Sequence, residues 1–434
     1  MGWLVWLWRL LTGAPPTTVA SAASPVALAA PSAAGRFAAR TARRPRRRWR
    51  LVPLRYQRHP TRTEPRLVAQ LPYRFARRSA DLRHWNDLSQ DGQLRRLEQL
   101  GLPVLAGPDD IACWLSLSAG ELAWLTGRFW EGRAAPRVAA THYRYRWIQK
   151  RRGGRRLIEA PKPRLKRVQQ QILAEILGRI PPHAAAQGFV TGRSILTNAQ
   201  PHVGQAVLLK LDLENFYPSV SYGRVAAIFR SLGYSREAAI WLARLVTTAV
   251  PPAFWDVGRP VPVAETRYLR RHLPQGAPTS PALANLSAFV LDLRLAGLAR
   301  SFNAQYTRYA DDLTFSGDAV FQRSLAAFLP LVRQIVVQER FRLHPQKTCV
   351  QRAGQRQQVT GIVVNAKPNV RRDDYDRLKA ILKNCIQYGP TSQNRDRHPE
   401  FASHLRGRIA FVSSLNSERG AKLRALFEQI DWNR

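Results

Sequence analysis

The sequence predicts an α+β fold in which a small antiparallel sheet is backed by helices. Apolar and polar residues alternate through 305–308 and 313–316, on either side of Tyr309-Ala310-Asp311-Asp312, as in a half-buried antiparallel hairpin. Residues 206–213 read as a buried strand ending in an acid, Asp212. Helical signals surround these strands. Ser118-Ala-Gly-Glu121 fits a capping box with Leu117 and Leu122 at the staple positions. Ser280-Pro281 opens an apolar helix, and residues 375–383 and 420–428 are helix-like.

The chain has 434 residues, enough for two or three domains, and its 45% hydrophobic content supports real cores. Lys plus Arg number 68 against 29 Asp plus Glu, a net charge of +39. Such a surface repels itself unless a polyanion neutralises it, so a nucleic acid is the expected partner, bound more weakly as salt rises. The three cysteines, Cys113, Cys349 and Cys385, match no zinc or redox spacing and read as thiols of a reducing cytoplasm.

In chain order, the apolar start at residues 1–11 is too short to span a bilayer and lacks the basic flank of a signal peptide, and no transmembrane segment is expected. Eight arginines fall within residues 36–50, with Trp49 among them; this reads as a disordered basic arm suited to polyanions. Periodicity returns over 78–107 as a small helical segment, with Gly101 as a helix C-cap. Lys150 and Arg156 flank Gly153-Gly154, so a β-hairpin there would fold both cations over a triphosphate, with Arg155 competing with Arg156 for the role. The Pro and Gly of Leu273-Pro-Gln275-Gly276 break regular structure and leave Gln275 free to contact the nascent pair or a nucleotide.

Adjacent carboxylates at a hairpin tip repel unless a cation lies between them. Oxygen-only ligands select a hard ion, Mg²⁺ before others, and Asp212 from a separate strand supplies the third carboxylate of a two-metal site for phosphoryl or nucleotidyl transfer.

These stretches resemble, in the family order, a reverse transcriptase of the bacterial retron type. The resemblance runs from about Pro108 to the C-terminus: residues 150–162, Leu211-Asp212 to Tyr217, 273–281, Tyr309-Ala-Asp311-Asp312, His344-Pro-Gln-Lys347-Thr348 and Val359-Thr360-Gly361. Asn198-Ala-Gln-Pro-His202 resembles the retron Asn-Ala-x-x-His signature, and Val359-Thr360-Gly361 its Val-Thr-Gly signature; RNA contacts are expected at both. The resemblance implies a right-hand polymerase with fingers over 108–205, palm over 206–358, and a primer-grip region and helical thumb over 359–434, after an N-terminal extension over 1–77. It further implies that Asp212, Asp311 and Asp312 hold two Mg²⁺ ions, with Mn²⁺ as a substitute. Lys150, Arg156 and Gln275 would bind the deoxynucleoside triphosphate, and Tyr217 would exclude a ribose 2′-hydroxyl, one of Phe216 and Tyr217 being core. Lys347 is the candidate proton donor to pyrophosphate.

The implied activity is RNA-directed DNA synthesis on a dedicated structured RNA. Priming from an internal guanosine 2′-hydroxyl would leave a branched RNA–DNA hybrid that serves anti-phage defence, with a defence effector as a further partner. A group II intron-like or diversity-generating reverse transcriptase and a non-catalytic RNA-binding scaffold are the alternatives.

Overall fold

In a computed structural model, the structure describes residues 64–128, 141–150, 153–255 and 261–432. The apolar start and the arginine arm lie outside them. Strands β1 (Arg66–Val68), β2 (Arg77–Arg78) and β3 (Trp85–Asp87) form an antiparallel sheet in the order β1-β3-β2. The extension expected over 1–77 thus holds β1 and the start of β2, and the small helical segment expected over 78–107 holds β3 as well as a helix. Asp81 organises the β2–β3 turn by accepting from the backbone N–H of Arg83 (3.0 Å), and Phe75 packs its ring 5.6 Å from Trp241 of the main core. Helix Leu94–Gln99 follows, with Leu100 at the C-cap and Gly101, expected there, one residue further on in the left-handed region at φ of 63°.

The capping box at Ser118 forms: Ser118 Oγ accepts from the Glu121 N–H (3.2 Å), and Glu121 Oε2 accepts from the Ser118 N–H (2.8 Å). Strands β4 (Tyr143–Gln149) and β5 (Arg155–Pro161) then pair as the basic hairpin, and Gly153 and Gly154 take φ of 86° and 78°, which only glycine adopts freely. Strand alternation sends neighbouring arginines to opposite faces. Arg155 goes to Glu265 (2.9 Å) and lies over Trp147, while Arg156 is left for the palm side.

Four antiparallel strands make the central sheet: β6 (Val207–Asp212), β7 (Gln305–Tyr309), β8 (Asp312–Gly317) and β9 (Cys349–Arg352), in the order β7-β8-β6-β9. Helices Phe289–Ser301 and Ala319–Gln338 pack against it, and Leu209, Leu211, Leu313, Phe315 and Phe328 sit in the shared core. Helix Ala319–Gln338 is long and apolar enough to cross a membrane by length and composition. Its Phe321, Phe328, Val332 and Val336 are buried against the sheet, as in a core helix.

Beyond the sheet, helices Arg372–Tyr388, Phe401–Leu415 and Ser417–Phe427 close around a second core of Leu378, Leu382, Cys385, Leu405, Ile409 and Leu423. Cys113, Cys349 and Cys385 are free thiols.

Under the sheet, His202 spans both arms of the β7–β8 hairpin, with Nδ1 2.6 Å from Ser316 Oγ and Nε2 2.8 Å from Thr307 Oγ1. Burial pushes the imidazole down to about 4, so it is neutral at physiological pH, with one nitrogen donating and one accepting. His202→Ala, which opens a void and removes a partner from two buried hydroxyls, is expected to cost about 2–4 kcal/mol. Urea unfolding at pH 7 reads this directly.

Candidate active site

Strand register builds the site. Asp212 ends β6 directly opposite Asp312, the first residue of β8. The two-residue turn Ala310-Asp311 joins β7 to β8, and Ala310 takes φ of 55°. A backbone bond from Leu213 N–H to the Asp311 carbonyl (2.8 Å) ties the turn to the end of β6. Asp212 and Asp311 therefore face one cavity of about 250 Å³, and Asp312 lies outside its lining.

Lys150, Arg156, Tyr217, Gln275 and Lys347 also line that cavity. With Asp212 and Asp311, these residues come from five separate chain segments. Lys150 closes the basic hairpin by backbone bonds to Gly153 and Gly154. Gln275 is fixed by exchange with β5: its carbonyl accepts from Glu159 N–H (2.8 Å), while Glu159 bonds the buried His272 (3.0 Å). Both rings line the cavity, but Phe216 is the core member of its pair, buried with its ring tilted against Phe341 at 5.8 Å, and Tyr217 is the more exposed of the two.

The electrostatics are opposed across this space. Asp311 is held above the ordinary carboxylate range, first by burial and then by the charge of Asp212. Asp312, exposed at its outer edge, is pushed up to about 6 by burial of the carboxylate and by the charge of Asp311. Lys150 is lowered by burial and by Arg156 and other nearby cations. Lys347 Nζ stands 2.6 Å from Asp212 Oδ2, a cation already drawn to the acids.

Among the described residues no three His, Cys, Asp or Glu side chains already converge closely enough to hold a metal ion. The donor chemistry nevertheless fits one. Two oxygen donors face a common space, and the Asp311 carboxyl is raised first by burial and then by the charge of Asp212, a repulsion that a divalent cation would relieve.

Of the RNA contacts expected at the two signatures, burial takes away those of the Asn198, His202 and Val359 side chains. Asn198 is 1% exposed and His202 and Val359 are 0% exposed, so their side chains face the interior. Thr360 is half-buried and Gly361 exposed. The two signatures meet each other instead: Asn198 Nδ2 donates to Thr360 Oγ1 (3.4 Å), Thr360 Oγ1 donates to the Ile195 carbonyl (3.2 Å), and Ala199, Leu208, Val359 and Ile362 share a small core. They join the sheet to the segment that leads into the C-terminal helices.

Sequence reasoning missed three features. Phe189 lines the cavity from a loop. The Glu159–His272 pair supports Gln275. A buried network under the catalytic-type hairpin starts from Arg308: Nε and Nη2 reach Asp292 (2.8 and 2.6 Å), and Nη1 reaches Asn285 Oδ1 (2.9 Å) and the Ala310 carbonyl (3.0 Å).

A sheet carrying paired acids, faced by a basic hairpin, is the constellation of a nucleotidyl transferase, and comparison with known proteins specifies it. The family described as reverse transcriptase (RNA-dependent DNA polymerase) matches residues 148–367, just over half of the chain. The retron Mx65 reverse transcriptase of Myxococcus xanthus is 41% identical over 330 residues, covering 76% of this chain and 73% of that protein. The retron Mx162 reverse transcriptase of the same organism is 39% identical over 345 residues, covering 76% and 68%. The retron Ec86 reverse transcriptase of Escherichia coli is 30% identical over 341 residues, covering 77% and 93%. The chain belongs to the reverse transcriptase family. Within it the chain is of the retron type, an RNA-directed DNA polymerase.

The raised carboxyls have a thermodynamic consequence. The folded state holds these protons more tightly than the unfolded chain, so their contribution to stability is present at low pH and is lost as pH rises from 3.8 towards about 6. Asp311→Asn/Asp312→Asn is therefore expected to gain stability relative to wild type across that window. At pH 7.5, Mg²⁺ is expected to raise the melting temperature of wild type more than that of the double variant. Paired melts with and without Mg²⁺ check both signs.

Proposed function

We propose that this polymerase reverse transcribes a dedicated structured non-coding RNA. In this reading, synthesis starts from an internal guanosine 2′-hydroxyl and leaves a branched RNA–DNA hybrid that serves anti-phage defence in the cytoplasm, with an effector protein as further partner. The observation that carries the catalytic part is the convergence of Asp212, Asp311, Lys150, Arg156, Tyr217 and Gln275 on one cavity. The substrate and priming reading rests on the similarity to retron reverse transcriptases.

Asp212 and Asp311 would hold the divalent cations, two Mg²⁺ with Mn²⁺ as a substitute. When bound, these ions lower the pKa of the attacking hydroxyl and neutralise charge on the departing pyrophosphate. Asp312, off the cavity wall, acts through its field and its place in the hairpin. Lys150 and Arg156 orient the triphosphate by charge-assisted hydrogen bonds. The Tyr217 ring fills the space a ribose 2′-hydroxyl would need, which selects deoxynucleotides. Gln275, held by the Glu159 backbone, contacts the incoming nucleotide. Lys347, 2.6 Å from Asp212 Oδ2, is the proton donor to pyrophosphate in this reading.

The test is to express the gene with its native flanking DNA and to sequence the nucleic acid that co-purifies. Treatment with debranching enzyme and a parallel Asp311→Asn/Asp312→Asn preparation complete it. A short DNA joined to one RNA through a debranchable 2′,5′ link, absent from the double variant, is the expected product. Linear DNA unaffected by debranching would contradict the priming reading, and DNA surviving in the double variant would contradict the assignment of the acids.

A further inference from the structure

Phe189 combines three properties that a side chain in an ordinary loop does not. It is 58% exposed although large and apolar, its backbone φ is 60°, in the left-handed region that bulky residues avoid, and its ring lines the cavity of the paired acids. Residues held in such a conformation persist only where the surroundings over-determine them, and they gather at functional sites.

The surroundings here do over-determine it. Gln187 N–H donates to the Arg308 carbonyl (2.7 Å), and Thr197 Oγ1 donates to Gln187 Oε1 (3.0 Å). The Gly188 carbonyl accepts from Asn285 Nδ2 (3.0 Å), and Asn285 in turn holds Arg308. A Cβ on Gly188 would come within 2.8 Å of the Ala310 nitrogen, so the loop lies directly against the turn that carries Asp311. On the far side, Arg193 Nη1 donates to the carbonyls of His183 (3.0 Å) and Ala184 (3.1 Å) and bonds that of Ala186. The loop is fastened before and after Phe189, and the ring is presented 6.2 Å from the ring of Tyr309.

We propose that Phe189 is the stacking platform for the nucleobase at the 3′ end of the primer strand. This rests on the reading of Asp311 as a catalytic acid, because that reading places the reactive primer hydroxyl beside the Ala310-Asp311 turn. The cations that would clamp the triphosphate, Lys150 and Arg156, come from the basic hairpin, whereas Phe189 shares the turn with Tyr309 and Ala310. An exposed ring accepts any of the four bases, because every base has a π-face. A position that meets each newly added nucleotide in turn requires that tolerance.

The test compares full-length wild type with Phe189→Ala, Phe189→Leu, Phe189→Trp and Asp311→Asn on an RNA template annealed to a DNA primer. Primer-template affinity is read by fluorescence anisotropy, and single-turnover incorporation is read as a function of nucleotide concentration. Phe189→Ala and Phe189→Leu are expected to weaken primer-template binding by about tenfold, with the nucleotide KM unchanged. Phe189→Trp is expected to stay near wild type. A primer ending in an abasic sugar is expected to erase the difference between wild type and Phe189→Ala. Rescue by Leu equal to rescue by Trp, a penalty that persists on the abasic primer, or a change confined to the nucleotide KM would each overturn the proposal. Incorporation by Asp311→Asn at the wild-type rate would instead overturn the active-site reading on which it rests, so the two failures are distinguishable.

Discussion

The buried ion pair between Arg308 and Asp292 is the interaction on which the geometry of the site depends. Both side chains are fully buried, and their two contacts are 2.6 and 2.8 Å long. Removing two charges from water is costly, and a buried pair persists only when its remaining hydrogen bonds are satisfied. Here they are: Tyr306 O–H donates to Asp292 (2.8 Å), and Arg308 Nη1 serves Asn285 and the Ala310 carbonyl. That last bond ties the pair to the turn itself. Ala310 in a left-handed conformation and two adjacent acids are each unfavourable locally. A guanidinium fixed from helix Phe289–Ser301 holds the turn in place against both.

The same network supports the cavity from other directions. Through Asn285 it reaches Gly188 and the loop that presents Phe189, and through β7 and β8 it shares a hairpin with His202. Glu159 and His272 do the corresponding task for Gln275. The residues facing the cavity are thus few and strained or repelling, and the residues behind them are buried and hydrogen-bonded. That division is what preorganised phosphoryl transfer requires, since positioning and electrostatics supply most of the rate.

Much of this was legible in the sequence where the signal is local. The capping box at Ser118, the glycine-centred hairpin after Lys150 and the hairpin around Asp311 each depend on residues a few positions apart. The family order of motifs brought Asp212, Arg156, Tyr217 and Gln275 into one expectation, and the structure places them around one cavity. Long-range pairing was not legible. Arg308 lies on a strand of the expected hairpin and Asp292 on a helix, and nothing in spacing couples them. Asn198 and Thr360, 162 positions apart, read as two separate strings, so their burial against one another was invisible and RNA contact was expected instead. Arginine-rich composition likewise concealed the short strands at Arg66–Val68 and Arg77–Arg78. Phe189 did leave a trace, a large apolar residue between Gly188 and Val190 in a stretch with no periodicity.

The central claim is that the Arg308–Asp292 pair matters for the position of the catalytic turn and not only for stability. The measurement that tests it most directly is single-turnover incorporation by the double variant Arg308→Met/Asp292→Leu, alongside its unfolding midpoint. Apolar replacement of both partners leaves no lone buried charge but removes the partners of the Tyr306 hydroxyl, Asn285 Oδ1 and the Ala310 carbonyl, so the midpoint is expected to fall while the protein stays folded. The bond to the Ala310 carbonyl is lost, and the incorporation rate is expected to fall about a hundredfold. A folded double variant that incorporates at the wild-type rate would contradict the account.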